Sequence, residues 1–374
     1  MFGLFETGIE HLTLGNVVMY AIGIALIYLG IRKKLEPLLL LPIGFGIIAT
    51  NLPLSELWNP GETGLSAGLL GIIYKYGILW VVIPPIIFLG IGAMVDFGPV
   101  LANPKTFLLG GAAMIGIYFS FLVSHALGFT LPEASAIGII GGADGPATVY
   151  VASQMAPHIF GPVAMAAYTY MALVPIIQPP IMKALTTKRE RAIYMKPQMR
   201  HVSQTEKIVF PIIACITIIL IVPRSAPLML MFMFGNLMKE SGVVKRLADT
   251  ASNELMNIAV IFLGLAIGAS MPASIFFTSQ SIGIFVLGLA AFCIGTASGV
   301  LFAKAMNLVL KEKINPLLGG AGVPAVPMSA RVVQKLGQEA NPHNHLLMHA
   351  IGPNVAGTVA SAAAAGVFLG MVPF

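Results

Sequence analysis

Two eight-residue stretches of this chain set an oxygen-bearing side chain among helix-breaking residues inside apolar sequence. Gly142-Ala143-Asp144-Gly145-Pro146-Ala147-Thr148-Val149 and Gly352-Pro353-Asn354-Val355-Ala356-Gly357-Thr358-Val359 share, in register, a glycine, an Asp or Asn two residues on, and a closing Thr-Val. A carboxylate at the centre of a bilayer costs about 3 kcal/mol on insertion scales, so an acid kept at that depth is a functional candidate. The bland alternative for Asp144 is a cap on a helix that Pro146 opens, although a serine caps without a charge. Asn354 is the neutral counterpart. One anionic and one neutral oxygen ligand, with carbonyls freed by broken backbone, suit a single hard monovalent cation, whereas a calcium cage takes several carboxylates.

Arg331 closes the stretch Asn315-Pro316-Leu317-Leu318-Gly319-Gly320-Ala321-Gly322-Val323-Pro324-Ala325-Val326-Pro327-Met328-Ser329-Ala330-Arg331. That stretch is too broken for one helix and too apolar for an ordinary loop, and it reads as a re-entrant element. Arg331 either grips an anionic group bidentately or anchors a membrane face, and the residues leave both open. Tyr170, in Tyr168-Thr169-Tyr170-Met171, is a buried phenol with a partner or a membrane-belt tyrosine. His343, His345 and His349 have only Glu339 nearby to complete a zinc set. Asp96, beside Gly98-Pro99, reads as an acid at a helix end.

The elements that must position these residues are membrane helices. Of 374 residues, 57% are hydrophobic and 10% charged, against about 25% charged in a soluble domain. Forty glycines and 26 prolines predict kinked or interrupted spans. The net charge of +6 is not a nucleic-acid footprint, because its cations gather in loops as the positive-inside rule expects. Apolar stretches near 13–31, 37–53, 77–98, 106–128, 133–157, 161–182, 208–235 (a hairpin of two short pieces), 257–277, 281–310 and 346–370 predict about ten or eleven membrane elements. Arg32-Lys33-Lys34 and the basic loop 183–207 should both be cytoplasmic, yet five apolar segments lie between them. One of these therefore does not cross simply, or 66–76 adds a crossing; the segment around Asp144 is the candidate for a broken or re-entrant element. The organisation expected is N-terminal spans 1–76, a first half 77–182, a basic loop and hairpin 183–249, and a second half 250–374. Paired broken segments in two halves, commonly inverted, are a pointer to a transport site. Cys215 and Cys293 sit in apolar runs without metal or redox spacing.

Several chemistries are excluded by pattern. There is no phosphate-cradling or dinucleotide loop, no Ser/His/Asp arrangement and no Met-Lys-Met biotin-acceptor tripeptide. If the chain pumps, its energy comes from outside it or from another gradient.

Gly141-Gly142-Ala143-Asp144-Gly145-Pro146 followed by Thr148 resembles the signature of the β subunits of sodium-translocating biotin-dependent decarboxylases, the oxaloacetate, methylmalonyl-CoA, glutaconyl-CoA and malonate systems. The resemblance covers most of the chain. It includes the run from Tyr168 through Gln178-Pro179-Pro180 to Leu185, the run from Asn315 to Arg331, and Leu347 to Gly357. It implies an all-α polytopic protein of the cell (inner or plasma) membrane that decarboxylates carboxybiotin, consumes a proton and exports sodium. It also implies sodium at Asp144 and roles for Tyr170, Asn315, Gly319 and Arg331 in ion or proton handling, with Arg331 meeting carboxybiotin. The sodium set expected is Asp144, Asn315, Gly319 and Asn354. The implied partners are a carboxyltransferase subunit, a biotin carrier protein that supplies the carboxybiotin, a small single-span subunit and further β copies, as a trimer. The acyl substrate is chosen by a partner, and the short chain favours glutaconyl-CoA or methylmalonyl-CoA. One departure is Pro324, where many relatives have serine. The alternative from composition and paired motifs alone is a secondary sodium/solute symporter or sodium/proton antiporter.

Overall fold

The computed structural model describes residues 7–59, 68–196 and 200–371, all helical or irregular and without a strand among them. Among the described residues seven helices are long and apolar enough to cross a membrane: Leu14–Lys33, Pro104–Ala126, Pro157–Leu185, Gln204–Ile221, Lys245–Ala269, Ser279–Val309 and Leu347–Met371. Leu69–Leu79 and Ile83–Met94 meet at 65°, and counted as one broken span they bring the number to eight. Residues 66–76 thus do contribute helix, from Leu69 onward. The remaining apolar segments expected as membrane elements are helical but short. Pro37–Thr50 has 14 residues, about 21 Å at 1.5 Å per residue, too short to span the roughly 30 Å hydrocarbon core. The 208–235 segment is indeed a hairpin, Gln204–Ile221 turning at Pro223–Ser225 into Ala226–Ser241.

Two stretches of the chain each run through a long helix, an interrupted one and a second long helix. In the first, Pro104–Ala126 is followed by 131–155, which breaks at Ala143-Asp144, and then by Pro157–Leu185. In the second, Ser279–Val309 is followed by 316–340, which breaks between Gly322 and Met328, and then by Leu347–Met371. This corrects one expectation. The Asn354 motif does not break a helix: Pro353 lies inside the continuous 25-residue helix Leu347–Met371. Proline there removes one backbone donor, a loss that packed neighbours absorb in membrane helices. The second break lies upstream, so the two similar octapeptides sit on elements that do not correspond in order.

Small residues let these elements approach. At Gly319, an added Cβ would stand 2.0 Å from the Gly299 carbonyl oxygen, and at Gly299 one would stand 2.1 Å from that of Gly319. The interrupted segment therefore crosses Ser279–Val309 backbone to backbone, as small-residue contacts permit in membranes. The basic loop docks on the same rim. Asn315 Nδ2 donates to the carbonyls of Arg191 (2.8 Å) and Ile193 (3.0 Å), and Asn344 Nδ2 donates to Ile193 (2.7 Å).

Candidate ion-binding site

Asp144 stands where the first interrupted helix restarts. Ile139–Gly142 is a 3-10 turn, and Ala143 is left-handed at φ 47. Asp144 then caps Gly145–Met155, with Pro146 in its first turn, as Pro's fixed φ favours. Its Oδ1 accepts the Ala147 N–H at 3.2 Å, and its Oδ2 accepts the Ser361 hydroxyl from Leu347–Met371. Capping and function are thus not alternatives here, because one oxygen caps and the other reaches across the bundle. The residue is 3% exposed. Among the described residues no lysine, arginine or histidine forms an ion pair with it. Two neutral donors do not balance a buried carboxylate, which otherwise requires a proton or a cation.

A cavity of about 110 Å³ opens beside it, lined by Asp144, Gly145, Pro146, Tyr168, Thr358, Pro324 and Val326, with Glu36 and Asn257. At about 30 Å³ per water, it has room for a small cation with some of its hydration. Tyr168 is 1% exposed, and its hydroxyl has no hydrogen-bond partner. A Cβ at Gly145 would lie 2.7 Å from that oxygen, so the phenol packs directly over the turn that carries Asp144. Thr148 and Thr358 each donate to the carbonyl four residues earlier, that of Asp144 (2.8 Å) and of Asn354 (3.2 Å).

The other expected residues lie around this cavity rather than in it. Asn354 Nδ2 donates to the carbonyls of Ala321 and Val323, both at 3.0 Å. It thereby holds the end of the second interrupted segment, and Pro324, the next residue, lines the cavity. Asn315 is spent on the Leu317 N–H and the basic loop. The carbonyl of Gly319 faces Gly299. The structure does not bring Asn315 or Gly319 to the Asp144 cavity. Tyr170 points to the opposite neighbour, and its hydroxyl donates to the Phe285 carbonyl at 2.5 Å. Asp96 is at a helix end as expected, accepting from Gly98 N–H and from Lys207 at 3.2 Å.

Arg331 is exposed on Met328–Ala340. It borders two surface grooves of about 420 and 430 Å³ that share Lys335 and Glu339; the second also takes in Lys183, Pro175 and Pro179. Lys183 is paired with Glu339 at 2.8 Å. One stretch of chain serves both places: Pro324 and Val326 line the Asp144 cavity, and Met328 and Arg331 line the outer groove. Sequence reading missed Tyr168, Ser361 and Glu36. The signal for Glu36 was a Glu-Pro pair opening an apolar run, hidden behind Arg32-Lys33-Lys34.

This arrangement is that of a polytopic helical membrane protein with a buried acid beside an internal cavity and a cationic groove on its surface. The chain belongs to the family of the Na+-transporting oxaloacetate decarboxylase beta subunit, which it matches over residues 15–372. It is 50% identical to the oxaloacetate decarboxylase beta chain of Haemophilus ducreyi, over 97% of this chain and 96% of that one. It is 52% identical to the methylmalonyl-CoA decarboxylase subunit beta of Propionigenium modestum, over 98% and 97%. It is 53% identical to the glutaconyl-CoA decarboxylase subunit beta of Acidaminococcus fermentans, over 98% and 96%.

Proposed function

We propose that this chain is the membrane subunit of a sodium-pumping decarboxylase complex, in which loss of CO2 from carboxybiotin drives sodium outward across the plasma membrane and consumes a proton. Family membership separates this reading from a secondary transporter. The observation that carries the mechanism is Asp144, a buried carboxylate held only by neutral donors beside a cavity of ionic size. Such a group keeps its charge while sodium is bound and is neutralised by a proton when sodium leaves, so the two compete for one site. Moving one charge outward costs about 2.3 kcal/mol per 100 mV, which a decarboxylation worth several kcal/mol can supply.

Each remaining residue has a part in this reading. Arg331, with Lys335 and Lys183, receives the carboxylate of carboxybiotin in the outer groove. There the N–C bond breaks, its electron pair returns to the biotin nitrogen, and a proton restores the N–H as CO2 departs. The chain from Pro324 to Arg331 connects that event to Asp144. Asn354, Asn315 and Gly319 act by fixing the interrupted segment, and Tyr170 by fixing its own helix against Ser279–Val309. The carboxybiotin comes on a biotin carrier protein loaded by a carboxyltransferase, and a small single-span subunit and two further β copies complete the assembly. An acyl-CoA substrate fits the alignments best. The glutaconyl-CoA relative aligns over 368 positions, whereas the oxaloacetate relative needs 418, more than the 374 residues present here, and so carries insertions that this chain lacks.

The test is decarboxylation of free carboxylated biotin by the purified complex in detergent. Wild type should be stimulated by sodium and not by choline at equal ionic strength. Arg331→Ala should raise KM for carboxylated biotin more than the sodium requirement, and the reverse ranking would remove Arg331 from this role.

A further inference from the structure

Glu36 is the second acid of the Asp144 cavity. It occupies the turn between the first two helices with left-handed backbone at φ 36, in the capping position of Pro37–Thr50, yet its side chain makes no cap. Among the described residues no hydrogen bond or ion pair holds its carboxylate. Burial raises the Glu36 carboxyl above its usual range, and the Arg331 cation pulls it partly back. The segment from Pro324 to Arg331 runs from this cavity to the outer groove, so the Arg331 cation acts on Glu36 through space and not through a bond. Tyr168, whose buried hydroxyl oxygen is unpartnered, lines the same cavity as Glu36 and Asp144 and offers an oxygen to a passing cation.

From this placement we propose that Glu36 is the carboxylate that draws sodium from the Arg331 side toward Asp144, and that Arg331 weakens this attraction until the anionic substrate occupies it. The inference rests on the decarboxylase reading above. Arg331 lines the outer groove, five residues beyond Val326, which lines the cavity together with Glu36. A guanidinium engaged bidentately by a substrate carboxylate has its charge balanced by that carboxylate and competes less for Glu36. The carboxylate then faces the cavity with its attraction for cations restored. Substrate binding raises sodium affinity at the mouth, and linkage requires that sodium raise substrate affinity by the same factor.

The experiment uses the intact complex and varies sodium against carboxylated biotin. In wild type, saturating sodium should lower the KM for carboxylated biotin about tenfold, within the usual range of coupling between sites. Glu36→Gln keeps the side-chain size and removes the charge. It should abolish that dependence and raise the sodium concentration for half-maximal rate about tenfold, with a smaller loss of kcat. Glu36→Asp should restore both toward wild type. A Glu36→Gln complex that keeps the wild-type sodium half-saturation and the sodium-dependent KM overturns the proposal. So does a Glu36→Asp complex that behaves like the glutamine variant, because charge is then not what acts. A wild-type complex indifferent to sodium takes down the decarboxylase reading and this inference with it; a wild-type response with an unaffected Gln variant takes down the inference alone.

Discussion

Replacing Gly145 by alanine should weaken the sodium site through Tyr168. The new methyl carbon would stand 2.3 Å from Tyr168 Cζ, 2.5 Å from Cε1 and 2.7 Å from the hydroxyl oxygen. Ordinary contact begins near 3.5 Å between carbons, so the ring must retreat by about 1 Å. It is 1% exposed and packed in one of the two main cores, so the only space open to it is the Asp144 cavity that it lines, where it would take room from the ion. Overpacking of this kind costs about 1–3 kcal/mol. If about half of that strain, about 0.5–1.5 kcal/mol, is relieved whenever the site lets sodium go, affinity falls about two- to tenfold, since 1.4 kcal/mol is a factor of ten. The assay is the sodium dependence of decarboxylation, read together with thermal unfolding in detergent. Tyr168→Leu removes the clashing atoms. In a double-mutant cycle it should recover the unfolding temperature lost by Gly145→Ala without recovering sodium affinity. A Gly145→Ala protein that melts lower yet binds sodium as wild type does would refute the reasoning, because the strain would then be structural only.

Three further outcomes follow from the same geometry. Asp144→Asn should fold, because the amide oxygen can still accept from Ala147 N–H, but its unfolding temperature should no longer rise with sodium. Wild type should gain about 2.7 kcal/mol at a hundredfold excess over Kd, and a persisting sodium shift in the variant would place the ion elsewhere. Gly319→Ala should lose most of its folded yield, measured by monodisperse recovery in detergent, since its Cβ would meet a backbone oxygen at 2.0 Å that no rotamer can relieve. Asn315→Ala leaves the carbonyl of Arg191 without its Asn315 donor, while that of Ile193 keeps Asn344. At about 1–3 kcal/mol for a buried group left unsatisfied, it should expose the basic loop to limited proteolysis while the membrane core stays resistant.

Asp144 was legible because an acid flanked by Gly and Pro in an apolar run has few bland explanations, and the break at Ala143-Asp144 lies where the motif put it. The second break was misplaced. Pro353 reads as a breaker, but it sits on a helix whose neighbours tolerate one missing donor, while the actual interruption at 323–327 was visible as Gly322-Val323-Pro324 and treated as part of a single re-entrant stretch. Choosing between Tyr168 and Tyr170 lay beyond the sequence: residues two apart on a helix point about 200° apart, and only packing decides which faces the acid. Asn315 and Gly319 carry strong motif signals, yet their positions reflect a loop tether and a helix crossing. The expected ten or eleven membrane elements included short and interrupted ones; which of them cross was not legible, because an apolar stretch buried inside protein looks the same as one facing lipid, and length alone separates Pro37–Thr50 from a true crossing.

The most direct test records CO2 release and uptake of labelled sodium together in vesicles containing the complex with its Arg331 groove facing outward. Wild type should accumulate sodium in fixed proportion to the CO2 released, and Asp144→Asn should accumulate none whatever its residual decarboxylation. Sodium accumulation by Asp144→Asn at the wild-type ratio would contradict the account.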